Sequence, residues 1–344
     1  MIHTVRIGLV GCSWFALRAH IPALERLAGC TIVAVCSRTR KSMAKAEARL
    51  GREVRRHAKM EELFTDPDID AVLLCLPIPL MPVAIEAALR AGKHVLSEKP
   101  AAPSLEACVH LMGVLRELGP AAPEWLVLEN WCMAKPSVRW LRERIQERAI
   151  GAVRSAHCTH DHPADAASSG WRSSPTHAGG WLVDVGVHWA RLLRILLGEP
   201  TLCSADHTAH EVIDPPTARG ARGKMHRSHS SGVAAGPSAG SLQAWTRFQH
   251  CASAATISLT YGLPSSRPGK KQQQSTSRNA GGGVPPALRV VGERGCLSWW
   301  PSEGGGGAGG AEGAVDRLSG WRSSQHRTIE VQSTPSDTMT LPGR

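Results

Sequence analysis

Between residues 5 and 130 the apolar positions keep changing period. Runs of buried-strand length at 5–10, 31–35, 71–76, 94–96 and 125–128 are separated by helical spacing at 15–27, 42–50, 81–91 and 104–118. Short apolar runs alternating with amphipathic helices predict right-handed β-α-β units on a parallel sheet. Gly29, Gly92 and Gly119 each follow a helical pattern, where a C-terminal glycine belongs. The expected fold of this part is α/β, a doubly wound parallel sheet.

Beyond residue 130 the pattern changes. A charged amphipathic helix at 137–148 is followed by a strand-like run at 152–158 and an apolar helix at 181–197. Further strand-like runs occupy 242–248, 254–261, 288–291 and 296–300. Many strands after a few helices predict a C-terminal α+β domain on a mostly antiparallel open sheet. Three stretches, 218–240, 265–286 and 304–313, are rich in Gly, Ser, Pro or Gln and read as insertions between strands. The expected organisation is a first domain at 1–128, a second at 129–332, and a disordered tail at 333–344.

Composition narrows the class. A chain of 344 residues is long for one core and suits two domains. No apolar stretch approaches membrane-spanning length, and the N-terminus runs directly into strand-like sequence, so a cytoplasmic protein is expected. Ten cysteines without a C-x-x-C pair fit a reducing compartment rather than a disulfide framework or zinc site. The formal charge of +11 concentrates at 38–59 and 219–227, with no aromatic residues interleaved, so no nucleic-acid partner is expected. His157, His160, Asp161 and His162 cluster in sequence but fall where alternate strand side chains diverge, and are read as surface residues rather than metal ligands.

Against that background two segments carry chemistry. The run 5–16 reads as strand, tight turn and helix start. A dinucleotide-binding turn asks for glycine at 11 and 13 and glycine or alanine at 16. Gly11 and Ala16 comply, and Ser13 is small. Main-chain groups of Gly11, Cys12, Ser13, Trp14 and Phe15 are therefore candidates for a pyrophosphate at the helix N-terminus, against a plain strand-to-helix turn. At the end of the second strand an acidic residue would select NAD. Ser37 and Arg38 stand there instead, with Arg40 and Lys41 behind, which favours the extra phosphate of NADP(H) over NAD(H).

The second segment pairs Lys99, at the end of a strand, with Asp184 and His188 one turn apart on a helix. A cation, a carboxylate and an imidazole suit proton exchange at an alcohol or carbonyl. By themselves Asp184 and His188 read first as a local hydrogen-bonded pair on the helix.

Together these residues resemble the glucose–fructose oxidoreductase / inositol dehydrogenase (Gfo/Idh/MocA) family. The resemblance covers 5–28, then Ala91 through Glu98-Lys99-Pro100, Glu129-Asn130, Trp171-Arg172 and Gly179-Gly180, then Asp184, Gly186 and His188, with a weaker match at 290–297. It implies hydride transfer between a nicotinamide and a carbon bearing oxygen in a sugar, polyol, cyclitol or cyclic diol. It implies Lys99 beside the nicotinamide, a cis bond before Pro100, and Asp184 and His188 lining the substrate pocket. Leu76, Pro77 and Glu98 would meet the cofactor, and Asn130, Trp171 and Arg172 the substrate. A homo-oligomer through the C-terminal sheet and a small-molecule substrate complete the expectation. The chain departs from the family at 76–81, Leu-Pro-Ile-Pro-Leu-Met, where Thr-Pro-Asn-x-x-His is usual, and at Arg191, where an aspartate often stands. A non-catalytic nucleotide sensor on the same fold and an NAD-assisted glycosidase remain the alternatives.

Overall fold

A computed structural model describes residues 4–129, 135–163, 180–210, 239–248, 254–263, 288–300, 315–322 and 325–332. Strands β1 (Val5–Val10), β2 (Cys30–Cys36), β3 (Arg55–His57), β4 (Ala71–Leu74), β5 (His94–Glu98) and β6 (Trp125–Leu128) form one sheet ordered β3-β2-β1-β4-β5-β6. Every neighbouring pair in it is parallel. The strand order reverses between β1 and β4, which opens a crevice at the carboxyl ends of those strands.

Helices cover both faces, as the continuous apolar runs require. Ile7, Leu9 and Leu73 pack on one side with Ile21, Met43 and Leu50. Val10, Val72 and Leu74 pack on the other with Phe64, Ile85 and Leu111. Successive strand residues thus enter opposite cores. The helices are α1 (Ile21–Leu24), α2 (Arg40–Leu50), α3 (Met60–Thr65), α4 (Met81–Arg90) and α5 (Leu105–Leu118). Thr39 and Ser104 cap α2 and α5 by accepting from the main-chain N–H groups of Ser42 and Ala107.

Three local expectations need correction. The helix expected over 15–27 is a π-helical turn, Ala16–His20, continued by α1 and ending at Leu24. A π turn takes one more residue than an α turn and so shifts the side chains that follow it. The strand expected over 71–76 stops at Leu74, leaving Cys75, Leu76 and Pro77 in the crevice loop. Elements β3 and α3 were not expected, because Arg-Arg-His has no apolar residue and α3 buries only Leu63 and Phe64.

The second sheet has eight strands, β7 (Val153–Pro163), β8 (Pro200–His210), β9 (Ala239–Phe248), β10 (Ala254–Leu263), β11 (Leu288–Gly292), β12 (Gly295–Trp300), β13 (Val315–Arg322) and β14 (Gln325–Gln332). Their order is β14-β13-β12-β11-β7-β10-β9-β8. Strands β7 and β10 are parallel and the other neighbours antiparallel, so the expected architecture holds. Helices α6 (Pro136–Gln146) and α7 (Gly180–Leu197) lie over it. Val138, Leu141 and Ile145 from α6 join Trp189, Leu192, Leu193 and Leu196 from α7 on a floor of Ala156, Val290 and Trp299. The three- and four-residue spacings of both helices are the reason they bury one face there.

Strands β8, β13 and β14 were not expected, and β7 extends past residue 158, so His160, Asp161 and His162 lie within it rather than at its end. Ala239 and Gly240 belong to β9, not to an insertion. The remainder of the three low-complexity stretches, the 333–344 tail, Asn130, Trp171 and Arg172 lie outside the described residues. Among the described residues no group of side chains is arranged to hold a metal ion, and no helix is long and apolar enough to cross a membrane.

Candidate active site

The turn after β1 is fixed from both sides. Gly11 N–H donates to the Cys36 carbonyl at 2.9 Å, and Cys75 N–H donates to the Val10 carbonyl at 2.8 Å. Gly11 has φ +94°, and a Cβ on it would sit 2.2 Å from the Cys75 carbonyl oxygen. Only glycine suits that place. Ser13 turns its hydroxyl inward, 3.0 Å from Cys75 Sγ, and accepts from Ala16 N–H at 3.2 Å. Cys12 is buried, which pushes its thiol up to about 12, so it is open to a ligand through its main chain. Trp14 is exposed with the Arg18 guanidinium 5.2 Å from its ring, and Phe15 meets His20 edge-on at 5.1 Å.

At the end of β2, Ser37 is half-buried and Arg38 exposed. Among the described residues Arg38 has no hydrogen-bond or ion-pair partner. Helix α2 then opens on Arg40 and Lys41 with no acidic residue in its first turn. Those cations oppose the helix dipole, an arrangement that an anion would relieve. A glycine-closed turn and an unspent guanidinium fit a phosphorylated dinucleotide lying across the crevice.

Glu98 ends β5, and its carboxylate accepts from Lys99 N–H at 3.2 Å. Its other oxygen lies 2.8 Å from His20 Nε2 but off the line of a directed hydrogen bond, so that contact is chiefly ionic. Burial opposes a charge on His20, yet contacts with the Cys75 thiol and Glu98 outweigh it and raise its pKa from 6.5 to about 9. A histidine with a raised folded pKa stabilises the fold fully below its unfolded value and loses that contribution as pH climbs through the folded one. Thermal stability is therefore expected to fall between about pH 6.5 and 9. Scanning calorimetry on the protein and on His20→Gln checks this. The variant should lose less stability than the parent across the window, and parallel curves would refute the linkage.

Lys99 reaches from β5 to α7. Its Nζ donates to Asp184 Oδ1 at 3.0 Å and to the Asp184 carbonyl at 2.5 Å. Both side chains are largely buried, at 16% and 12% exposed. One turn along, His188 Nδ1 meets Glu129 Oε1 at 2.9 Å. The i, i+4 spacing on α7 thus gives each functional side chain a partner from the carboxyl end of the parallel sheet, at β5 and just after β6. The bond before Pro100 is cis, as the resemblance implied. Leu76 and Pro77 lie half-buried in the loop after β4.

Two residues of this constellation had no assigned role in the sequence. Glu129 could have been suspected as an acidic residue directly after a parallel strand. His20 carried no signal, since its approach to Glu98 depends on the π turn.

Comparison with known proteins follows the same division. The family model described as an oxidoreductase family with an NAD-binding Rossmann fold matches residues 5–121, and the GFO/IDH/MocA C-terminal domain model matches 138–298. A dehydrogenase from Fusarium mangiferae is 34% identical over 209 residues, 56% of this chain and 58% of that protein. A dTDP-3,4-didehydro-2,6-dideoxy-alpha-D-glucose 3-reductase from Streptomyces violaceoruber is 35% identical over 217 residues, 62% of this chain and 60% of that protein. The chain thus spans 58–60% of the length of these relatives. In fold it is similar to a 3-ketoreductase from Actinomadura kijaniata, solved in complex with NADP and TDP-benzene. There the TM-score is 0.67 at 21% identity, over 96% of this chain and 85% of that one.

Proposed function

The chain belongs to the GFO/IDH/MocA oxidoreductase family, and on that premise we propose that it is an NADP-dependent oxidoreductase acting at a carbonyl or alcohol carbon of a sugar-like substrate. Residues 1–128 hold the cofactor, and 129–332 supply the substrate side and self-association. The observation that carries the reading is the Lys99 ammonium, held by Asp184 at the carboxyl edge of the parallel sheet. A bound nicotinamide dinucleotide supplies the hydride chemistry. Behind Gly11, whose own N–H is held by the Cys36 carbonyl, main-chain groups of Cys12 to Phe15 receive its pyrophosphate, and Ser37 and Arg38 its adenosine phosphate.

An ammonium has three N–H donors. Two of Lys99's point to Asp184, and the third polarises the substrate oxygen. Asp184 keeps the ammonium oriented. Glu129 holds His188 through Nδ1, so the Nε2 edge gives a proton to the reduced oxygen or takes one from the alcohol. Lys99 and His188 are the catalytic residues, with Asp184 and Glu129 positioning them. Because the Streptomyces relative is named as a 3-reductase of a dTDP-linked keto sugar, keto sugars are the substrates to try first.

The test starts with fluorescence titrations of NADPH and NADH under matched salt. NADPH should bind more tightly, and Arg38→Ala should weaken NADPH by about tenfold or more, the worth of a charge-assisted contact, with NADH within twofold. Equal affinities would overturn the choice of NADP, and no binding of either would overturn the cofactor reading. Net NADPH consumption with a keto sugar is then expected. Cofactor returned unchanged alongside product would mean transient-hydride glycoside cleavage instead.

A further inference from the structure

We propose that His20 is a positioning residue for Lys99: by holding the Glu98 carboxylate, it leaves Asp184 as the ammonium's carboxylate partner. The effect on turnover rests on the catalytic reading of Lys99 above; the effect on the ammonium itself does not.

Lys99 stands among three carboxylates. Glu98 precedes it in the chain, and Asp184 receives its Nζ from α7. Glu98 pairs with Leu128 across β5 and β6, which brings Glu129, the next residue, alongside Lys99. One ammonium cannot serve three anions, and carboxylates left unpaired in a poorly solvated place repel one another strongly. The structure gives each of the two surplus carboxylates an imidazole. Glu129 meets His188 Nδ1 at 2.9 Å, and Glu98 meets His20 Nε2 at 2.8 Å.

The His20 contact is held in place from several sides. His20 ends the π turn and Glu98 ends β5, so the pair joins two separate elements. Both side chains are only 14% exposed, which limits screening by water. Phe15 packs edge-on against the imidazole, with ring centroids 5.1 Å apart, and restricts its orientation. With a pKa raised to about 9, His20 is cationic at neutral pH. His20, Glu98, Lys99 and Asp184 then carry no net charge between them, and removing the imidazole leaves one buried carboxylate uncompensated.

That carboxylate is the one placed to interfere. Glu98 already accepts from Lys99 N–H at 3.2 Å, so it lies at the root of the lysine side chain. Released from His20, it competes with Asp184 for the ammonium and draws Nζ back from the substrate oxygen. A displacement of about 1 Å at such a group is enough to cost on the order of 10²-fold in rate. His20 touches neither substrate nor ammonium and acts through Glu98.

The full-length protein is treated with limiting acetic anhydride at neutral pH, and each lysine is followed by peptide mass spectrometry. The reagent attacks free amines and spares ammonium ions. His20→Gln removes a cation and unmasks a carboxylate beside Lys99; both changes favour the ammonium, so Lys99 should react at least threefold more slowly than in the parent. Lys93, at the other end of β5 and held by the Asp66 and Ile69 carbonyls, should keep the parent's rate. Removing the surplus charge as well, in His20→Gln/Glu98→Gln, should bring the Lys99 rate back to within about twofold of the parent's. Should His20→Gln fail to fold, Glu98→Gln alone should speed Lys99 at least twofold with Lys93 unchanged. A loosened fold would expose Lys99 and speed its acetylation in His20→Gln; that result, or an unchanged rate, overturns the proposal. In turnover of a keto sugar, His20→Gln should lower kcat at least tenfold with KM within threefold, and the double variant should recover at least fivefold. A parental kcat in His20→Gln, or no recovery in the double variant, overturns the positioning role. A parent protein without turnover would count against the oxidoreductase reading instead, with the acetylation rates still deciding whether His20 governs the ammonium.

Discussion

Lys99→Ala is expected to lower kcat by about 10²–10³-fold, the loss seen when one preorganised donor to a developing oxyanion is removed. NADPH affinity should stay within a few-fold, because the turn at Gly11 and the Arg38 guanidinium are untouched. The ammonium is largely buried and fixed by two contacts to one residue, so in the proposed role solvent cannot replace its remaining donor at the substrate oxygen. Removing one partner of a buried pair also costs about 3–5 kcal/mol of stability. Turnover must therefore be read beside a melting curve. Asp184→Asn separates the effects: it keeps the carbonyl contact and side-chain shape, so its kcat should fall less than that of Lys99→Ala. Lys99→Arg keeps the charge but carries a planar fork in place of a compact ammonium, and should recover little turnover. Steady-state kinetics on folded variants decide the matter. A Lys99→Ala protein that turns over at the parent's rate would remove the catalytic assignment.

The parts of this site legible in the sequence are those where one residue's chemistry sits at a recognisable place in a periodic pattern. Lys99 stands at the end of an apolar run, and Asp184 and His188 share a helix face by spacing alone. Their partners were hidden for a physical reason. The Lys99–Asp184 pair spans 85 residues and the His188–Glu129 pair 59, so both depend on how α7 docks on the carboxyl edge of the parallel sheet. Periodicity fixes which face of a helix is buried but not what that face meets. The same limit explains the missed elements. β3 is Arg-Arg-His, an edge strand held by main-chain pairing to β2, and its side chains give no alternation to read. The π turn is likewise invisible, because Leu17, Ile21 and Leu24, which pack in one core, keep ordinary helical spacing across it.

Those interruptions are where the fold shapes chemistry. Without the π turn His20 would fall at another angle from Phe15, and Glu98 would lose the contact that ties β5 to the first helical segment. Ser13, read from the sequence as a tolerable substitute for glycine, instead spends its hydroxyl on Ala16 N–H and Cys75. The turn is thus more tightly cross-linked than a glycine there would leave it.

Gly11→Ala should show the strength of that cross-linking. The backbone at φ +94° disfavours any side chain, at about 1–2 kcal/mol. The larger cost is contact: the methyl group would meet the Cys75 carbonyl at 2.2 Å, and the obstacle is main chain that cannot swing aside. Either the end of β1 or the loop after β4 must move, although Cys75 N–H and Gly11 N–H tie both to neighbouring strands. A destabilisation of about 3 kcal/mol or more follows, toward the upper end for single substitutions. NADPH affinity should fall at least a hundredfold, because the displaced main chain carries the groups assigned to its pyrophosphate. Gly51→Ala is the control. It has φ +69° but nothing within 4 Å of the added carbon, so it bears the conformational cost without the collision. It should lose about 1 kcal/mol and bind NADPH as the parent does. If the two variants were equally stable, backbone strain alone would account for Gly11 and the close approach of Cys75 would be irrelevant. If Gly11→Ala were destabilised but bound NADPH normally, the turn would be a structural hinge rather than the cofactor's seat.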